Sequence, residues 1–425
     1  MYWKRYVETC CNSPTSERLT VAFAMYRYSA NMTNPRAALD AVRAQWQEVA
    51  LLVIAAAAAV MLRWFLRVAF TSDYTEYMRG WIVTLREGGY FALGSEFSNY
   101  NLPYLYLLLI GAQLPLEGLT IVKLISAVFD VVLAAGVAAI VYQLSRRWIL
   151  AATIGIGVLF VPEVFLNSAV WGQTDSIYTA FLVWSAYFVV TRRDVLAWVM
   201  FAIAFEFKLQ AIFLLPWIAL AFVIQKHRFR TLLYAVGVII VLSIPGIIAG
   251  RPPLSILEIY AGQTGTGILA QHVANPYAWI NQDTAAFVNP AGVALAVGIV
   301  ALLCVAYLRR PPTDIGLLQV AATFAAVIPF ALPQMHDRYF YPAGIFAILC
   351  ILIDRRYVLP AALFQFTAVT AYALAVFRQE PVLSYPLLAV VQLVPVAMTV
   401  YLSFARPATT QADRQEEPAM TMARA

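Results

Sequence analysis

Four short polar patches interrupt a chain that is otherwise strongly apolar, and each holds side chains able to act on a charged or polar group. The first is Thr71-Ser72-Asp73-Tyr74-Thr75-Glu76-Tyr77, running on to Asn99-Tyr100-Asn101-Leu102-Pro103-Tyr104. Asp73 falls just beyond an apolar run, at a water boundary. A carboxylate there stays ionised yet can face a half-buried cleft, as a general base requires; a solvated loop acid sits in the same kind of place. Glu76 is a second carboxylate close by. The next patch is Trp171-Gly172-Gln173-Thr174-Asp175. A helix cap and an interfacial aromatic account for these residues singly, but not for Gln173 and Asp175 together beside Trp171.

The third patch, Glu206-Phe207-Lys208-Leu209-Gln210, is the polar break in the apolar stretch 195–224. A charge at membrane depth costs about 2.5–3.5 kcal/mol on insertion scales, so an ionisable residue there points to function. Lys208 could instead snorkel to the surface, paired with Glu206. The fourth is His336-Asp337-Arg338-Tyr339. Arginine and histidine together suit a phosphate; an interfacial anchor is the plainer reading. Lys123 and Asp130 share one helix face and are either a buried pair or part of a working site. Arg63 and Arg67 are expected to snorkel or to touch a lipid phosphate.

The elements that must carry these patches follow from composition. Of 425 residues, 62% are hydrophobic and 12% charged, against about 25% charged in soluble domains. Too little polar surface remains to coat a water-soluble globule, so lipid is the expected solvent for most of the chain. The net charge of +6 is scattered in small clusters rather than gathered in a stripe, which argues against nucleic-acid binding. Four cysteines and three dispersed histidines make neither a disulfide framework nor a metal-ligand spacing. The first 48 residues lack the apolar core of a signal peptide.

Apolar runs predict an all-α, polytopic transmembrane bundle of about twelve crossings, at 49–70, 119–143, 148–165, 174–190, 194–207, 209–224, 231–249, 287–307, 313–331, 339–353, 357–376 and 383–404. The segment 102–116, bracketed by prolines, reads as re-entrant or interfacial within a long first outer loop. Arg146-Arg147, Arg192-Arg193, Lys226 to Arg230, Arg309-Arg310 and Arg355-Arg356 then fall on one side, cytoplasmic by the positive-inside rule. Both termini join them. Residues 1–48 read as a cytoplasmic extension, 49–404 as the membrane domain, and 405–425 as a cytoplasmic polar tail. All four patches land together on the opposite side.

Taken in order, these patches resemble the polyprenyl-phosphate-sugar-dependent glycosyltransferases of the GT-C class, and within it the family of the second mannosyltransferase of GPI-anchor synthesis and its bacterial relatives. The resemblance rests on Asp73, Asn99 to Tyr104, Lys123 with Asp130, Trp171-Gly172-Gln173-x-Asp175, Phe207-Lys208-Leu209-Gln210 and His336-Asp337-Arg338-Tyr339, across roughly residues 50–400. Asn101-Leu102-Pro103 departs from the family's double proline, and Asp337 stands where Glu is commoner. The resemblance implies inverting transfer of a sugar, with mannose the first expectation, on the non-cytoplasmic face of a bacterial plasma membrane. Asp73 would be the general base, with Glu76 a second candidate. Lys208, His336 and Arg338 would hold the donor phosphate. Trp171, Gln173, Asp175, Gln210, Tyr100 and Tyr339 would bind substrate, and Lys123 and Asp130 would have structural or coupling roles. The expected partners are membrane lipid, the lipid-linked sugar donor and a glycan, glycolipid or protein acceptor. No cofactor and no metal are expected.

Two other classes suit a polytopic basic-inside chain. A transporter or flippase of lipid-linked sugars should show repeat symmetry and midplane polar residues on broken helices. A non-catalytic membrane subunit of a glycolipid-processing complex would not need the acid at position 73.

Overall fold

The computed structural model describes residues 35–263 and 267–405. Most of the expected N-terminal extension, including Cys10 and Cys11, and the tail from residue 406 lie outside the described residues. Two compact units divide the chain, 1–58 and 59–425. In the first, the described backbone is helical from Pro35, the start of α1 (Pro35–Leu66). The helix therefore runs without a break through position 48, where the extension was expected to give way to the membrane domain.

The second unit is nearly all helical over its described residues. Its first helices are α2 (Arg79–Gly88), α3 (Leu102–Ala112), α4 (Gly118–Ser145), α5 (Trp148–Val158) and α6 (Pro162–Phe165). Then come α7 (Asp175–Val190), α8 (Asp194–Phe207), α9 (Leu215–Ile224), α10 (Leu232–Ile248) and α11 (Pro253–Gln263). The last are α12 (Ala285–Arg309), α13 (Gly316–Ala331), α14 (Tyr341–Cys350), α15 (Val358–Ala371), α16 (Ala373–Phe377) and α17 (Tyr385–Phe404).

Among the described residues, five helical stretches are long and apolar enough to cross a membrane: Gln45–Leu66, Gly118–Ser145, Phe229–Ile248, Gln282–Arg309 and Tyr385–Phe404. The pair Trp148–Val158 and Pro162–Trp171, bent by 52°, makes a sixth if taken as one span. The other expected runs form shorter helices, α7, α8, α13 and α14 among them. A bilayer core needs about 20 helical residues, and these fall short. They are also the inner ones: α7, α13 and α14 bury most of their residues, whereas α10 and α12 expose Leu233, Val241, Leu295 and Leu302. A helix enclosed by protein can stop or break at membrane depth, because its end groups find protein partners rather than hydrocarbon.

Local chemistry sets the helix ends. The Asn101 side chain accepts from the Leu102 amide at 2.9 Å and Pro103 sits in the first turn of α3, a strong start signal. Segment 102–116 is thus an eleven-residue helix followed by a turn, too short to span by itself. At the other ends, Arg146, Arg192 and Lys226 take left-handed φ values of 57°, 54° and 57° just after α4, α7 and α9. The basic residues that carry the charge pattern also close these helices, where a cation complements the helix dipole.

Candidate functional site

The turn 166–175 shapes one half of the site. After α6 the chain widens into a π-helical turn, Leu166–Trp171, that ends at Gly172 with φ +81°. π-turns interrupt the regular ladder and recur at functional positions. The amides of Gly172 and Gln173 both return to the Asn167 carbonyl, at 3.0 and 2.9 Å. A Cβ on Gly172 would lie 3.1 Å from Val122 Cγ1, so that side chain would have to shift, and the left-handed φ by itself favours glycine. The reversal lets two residues of this turn reach one carboxylate. Trp171 Nε1 donates to Asp73 Oδ2 at 3.1 Å, and Gln173 Nε2 donates to the same oxygen. Thr71 Oγ1 ties the Asp73 segment to the Trp171 carbonyl at 3.2 Å. Tyr100 joins from the next loop segment, its hydroxyl donating to Gln173 Oε1 at 3.4 Å.

The other half is cationic. Lys208 ends α8 in an extended conformation, φ −157°, and this break turns its side chain toward α7. There Nζ meets Asp175 Oδ1 at 2.5 Å. Asp175 is fully buried; its second oxygen accepts from Asn167 Nδ2 at 3.0 Å and lies 3.7 Å from Arg338 Nε. Asp175 thus pairs with two cations and is not among the residues lining the cavity. The alternative pairing of Lys208 with Glu206 is not the one found. Glu206 accepts from Asn101 Nδ2 at 3.1 Å and from the Tyr260 hydroxyl at 2.9 Å, because the end of α8 turns the two side chains to different neighbours.

Residues 335–339 close the ring. A two-residue parallel bridge pairs β1 (Ala270–Gln271) with β2 (Met335–His336), joining the segment between α11 and α12 to the one between α13 and α14. Arg338 lies over the Trp171 ring at 5.0 Å, a cation–π contact, and its partner Asp337 is 3.5 Å away. Gln210 Nε2 donates to the Tyr339 hydroxyl at 2.8 Å. Burial, then the charges of Arg338 and Lys208, push His336 down to about 3. It is uncharged at neutral pH, so it can offer a phosphate a hydrogen bond but no positive charge. Burial pushes Asp337 up to about 7 against the opposing pull of Arg338.

These groups face a cavity of about 770 Å³, within the size range of small-molecule sites. Asp73, Glu76, Tyr100, Gln173, Lys208, Gln210, His336, Arg338 and Tyr339 all line it. Trp171 stands behind it, edge-on to Tyr372 at 5.1 Å. Among the described residues no three His, Cys, Asp or Glu side chains gather as a metal site would need.

Lys123 and Asp130 belong to the support, not the cavity. Lys123 Nζ donates to the Ala69 and Val170 carbonyls, the latter at 3.0 Å. Asp130 takes Arg63 at 2.8 Å and Ser168 Oγ at 2.5 Å. Lys123 thus ties the C-terminal end of the π-turn and Asp130 its middle. Arg63 is therefore buried and ion-paired, where it was expected to snorkel or to touch a lipid phosphate: α4 presents a carboxylate to it inside the bundle. Arg67 instead covers the ring of Trp64 at 3.4 Å. Asn167, Trp81 and Arg251 were not among the expected site residues, and Tyr77 stood in the first patch without a role. Only Asn167 had a local signal, as an amide within an apolar run eight residues before Asp175.

No family model matches the chain, and no curated protein matches it.

Proposed function

We propose that this chain is a membrane-embedded glycosyltransferase of the GT-C type, with about twelve crossings counting the short inner helices, that moves a sugar from a polyprenyl-phosphate donor to a hydroxyl acceptor on the non-cytoplasmic face. The observation that carries the reading is that Asp73 lines one cavity with Lys208 and Arg338, brought there from three separate parts of the chain. Base and phosphate-binding cations in one cleft are what this reaction needs. Asp73 takes the proton of the acceptor hydroxyl. The hydroxyl oxygen bonds to the anomeric carbon from the face opposite the phosphate, and the anomeric C–O bond breaks with its electron pair leaving on the phosphate. Lys208 and Arg338 offset the charge that develops there, with neutral His336 as a hydrogen-bond donor. A lipid phosphate is a good leaving group, so the scheme uses no separate acid. Mannose is the sugar that the resemblance favours.

The test is transfer from labelled polyprenyl-phosphate sugars in membranes carrying wild type or Asp73→Asn. A positioned base contributes about a hundredfold to ten-thousandfold. A loss of that size at normal expression supports the reading; undiminished transfer by Asp73→Asn removes the base. Donor translocation without transfer would favour the flippase.

A further inference from the structure

We infer that Tyr77 and Trp81 form a stacking wall for the acceptor, and that the acceptor presents a hydroxylated ring, a glycoside or cyclitol, to Asp73. This deepens the glycosyltransferase reading and rests on it. Immediately after Asp73 the chain makes a π-helical turn, Tyr74–Met78, that leads directly into α2. Tyr74, Ile82 and Leu85 go into the core, while Tyr77, Met78 and Trp81 line the cavity. Their rings stand 6.4 Å apart, and Trp81 is 5.5 Å from Tyr100. Three tilted rings thus follow one another along the cavity, from Tyr77, 49% exposed, to Trp81, 6% exposed. Tyr100, the last, reaches Asp73 through Gln173.

The chemistry of this arrangement selects a ligand. A sugar or cyclitol ring has one face of C–H groups and an edge of hydroxyls. The C–H face lies well on an aromatic ring, whose face is electron-rich and apolar. The hydroxyl edge needs acceptors close to the same wall, and Asp73 and Glu76 supply two carboxylates from the turn that also carries Tyr77. An open-chain polyol offers the hydroxyls without the flat C–H face, and a serine or threonine side chain offers one hydroxyl and no ring. The wall therefore separates ring acceptors from both.

Purified full-length protein in lipid nanodiscs would be assayed with an alkyl glycoside, a matched alkyl open-chain alditol and a threonine peptide as acceptors. We expect Tyr77→Ala and Trp81→Ala to raise KM for the glycoside about tenfold, with a smaller change in kcat and an unchanged KM for the donor. Trp81→Phe should recover most of the loss, which a merely structural residue would not require. Equal KM changes for glycoside and alditol, or preference of the wild type for the alditol or peptide, would overturn the inference. If wild type transfers nothing from any polyprenyl-phosphate sugar, the enzyme reading fails by itself, and the wall is then tested by binding. Saturation-transfer NMR with the same alkyl glycoside should show the ring C–H face against aromatic protons, lost in Tyr77→Ala. No ring contact, or contact from a choline headgroup instead, would sink it.

Discussion

The indole nitrogen of Trp171 donates to the carboxylate of Asp73 at 3.1 Å across 98 residues of chain. Gln173 reaches the same oxygen from two residues further on. The turn that carries the Trp-Gly-Gln segment thus holds the Asp73 carboxylate, and its Gln173 also lines the cavity.

Trp171→Phe keeps the ring packed on Tyr372 but deletes the donor. Hydrogen bonds to charged groups contribute about 1.5–3 kcal/mol. If this one orients Asp73 for catalysis, kcat for transfer should fall about tenfold to a hundredfold, with donor KM little changed. Steady-state kinetics on purified protein would read this. A fall in donor affinity with kcat intact would instead place Trp171 in donor binding.

Arg63 and Asp130 form a pair with side chains 8% and 0% exposed. Removing one partner strands a buried charge at a cost of about 3–5 kcal/mol. Asp130→Ala and Arg63→Ala should each lower the melting temperature sharply. The double change Arg63→Met/Asp130→Leu should recover much of it, because two apolar groups leave no unpaired charge. Thermal denaturation of the detergent-solubilised chain would show whether the double variant is the more stable.

His336 and Asp337 oppose each other in the pH dependence of stability. Burial pushes Asp337 up to about 7 from an ordinary value of 3.8, so the folded state binds the extra proton in that window. Its contribution is present at low pH and is lost as pH rises toward 7. His336, pushed down to about 3 from 6.5, has the reverse sign: the unfolded state binds the extra proton, and stability grows as pH rises through that range. Melting curves from pH 4 to 7 should therefore slope upward with pH in Asp337→Asn relative to wild type, and downward in His336→Gln. Parallel curves for all three proteins would mean that neither group is buried as described.

Much of this was legible locally. A break such as Phe205-Glu206-Phe207-Lys208 is visible because charge is expensive in an apolar run, and the end of α8 falls there. The partner of Lys208 was not visible. Glu206 is two residues away and Asp175 is 33 residues away, yet the distant carboxylate takes the contact. The count of crossings shows the same limit. Hydropathy marks α7 and α13 as apolar, but it does not distinguish a lipid-facing span from a short helix enclosed by protein.

From the amino-acid order alone came the nearly all-helical, apolar character and the set of polar patches, because both depend on how each short segment partitions between water and hydrocarbon. The fold alone decided which charges meet. Asp175 became the clamp for Lys208 and Arg338, Arg63 went inside to Asp130, and Tyr77 and Trp81 came to wall the cavity beside Asp73. Such pairings act over a few ångströms between residues far apart in the chain, so they exist only once the helices have packed.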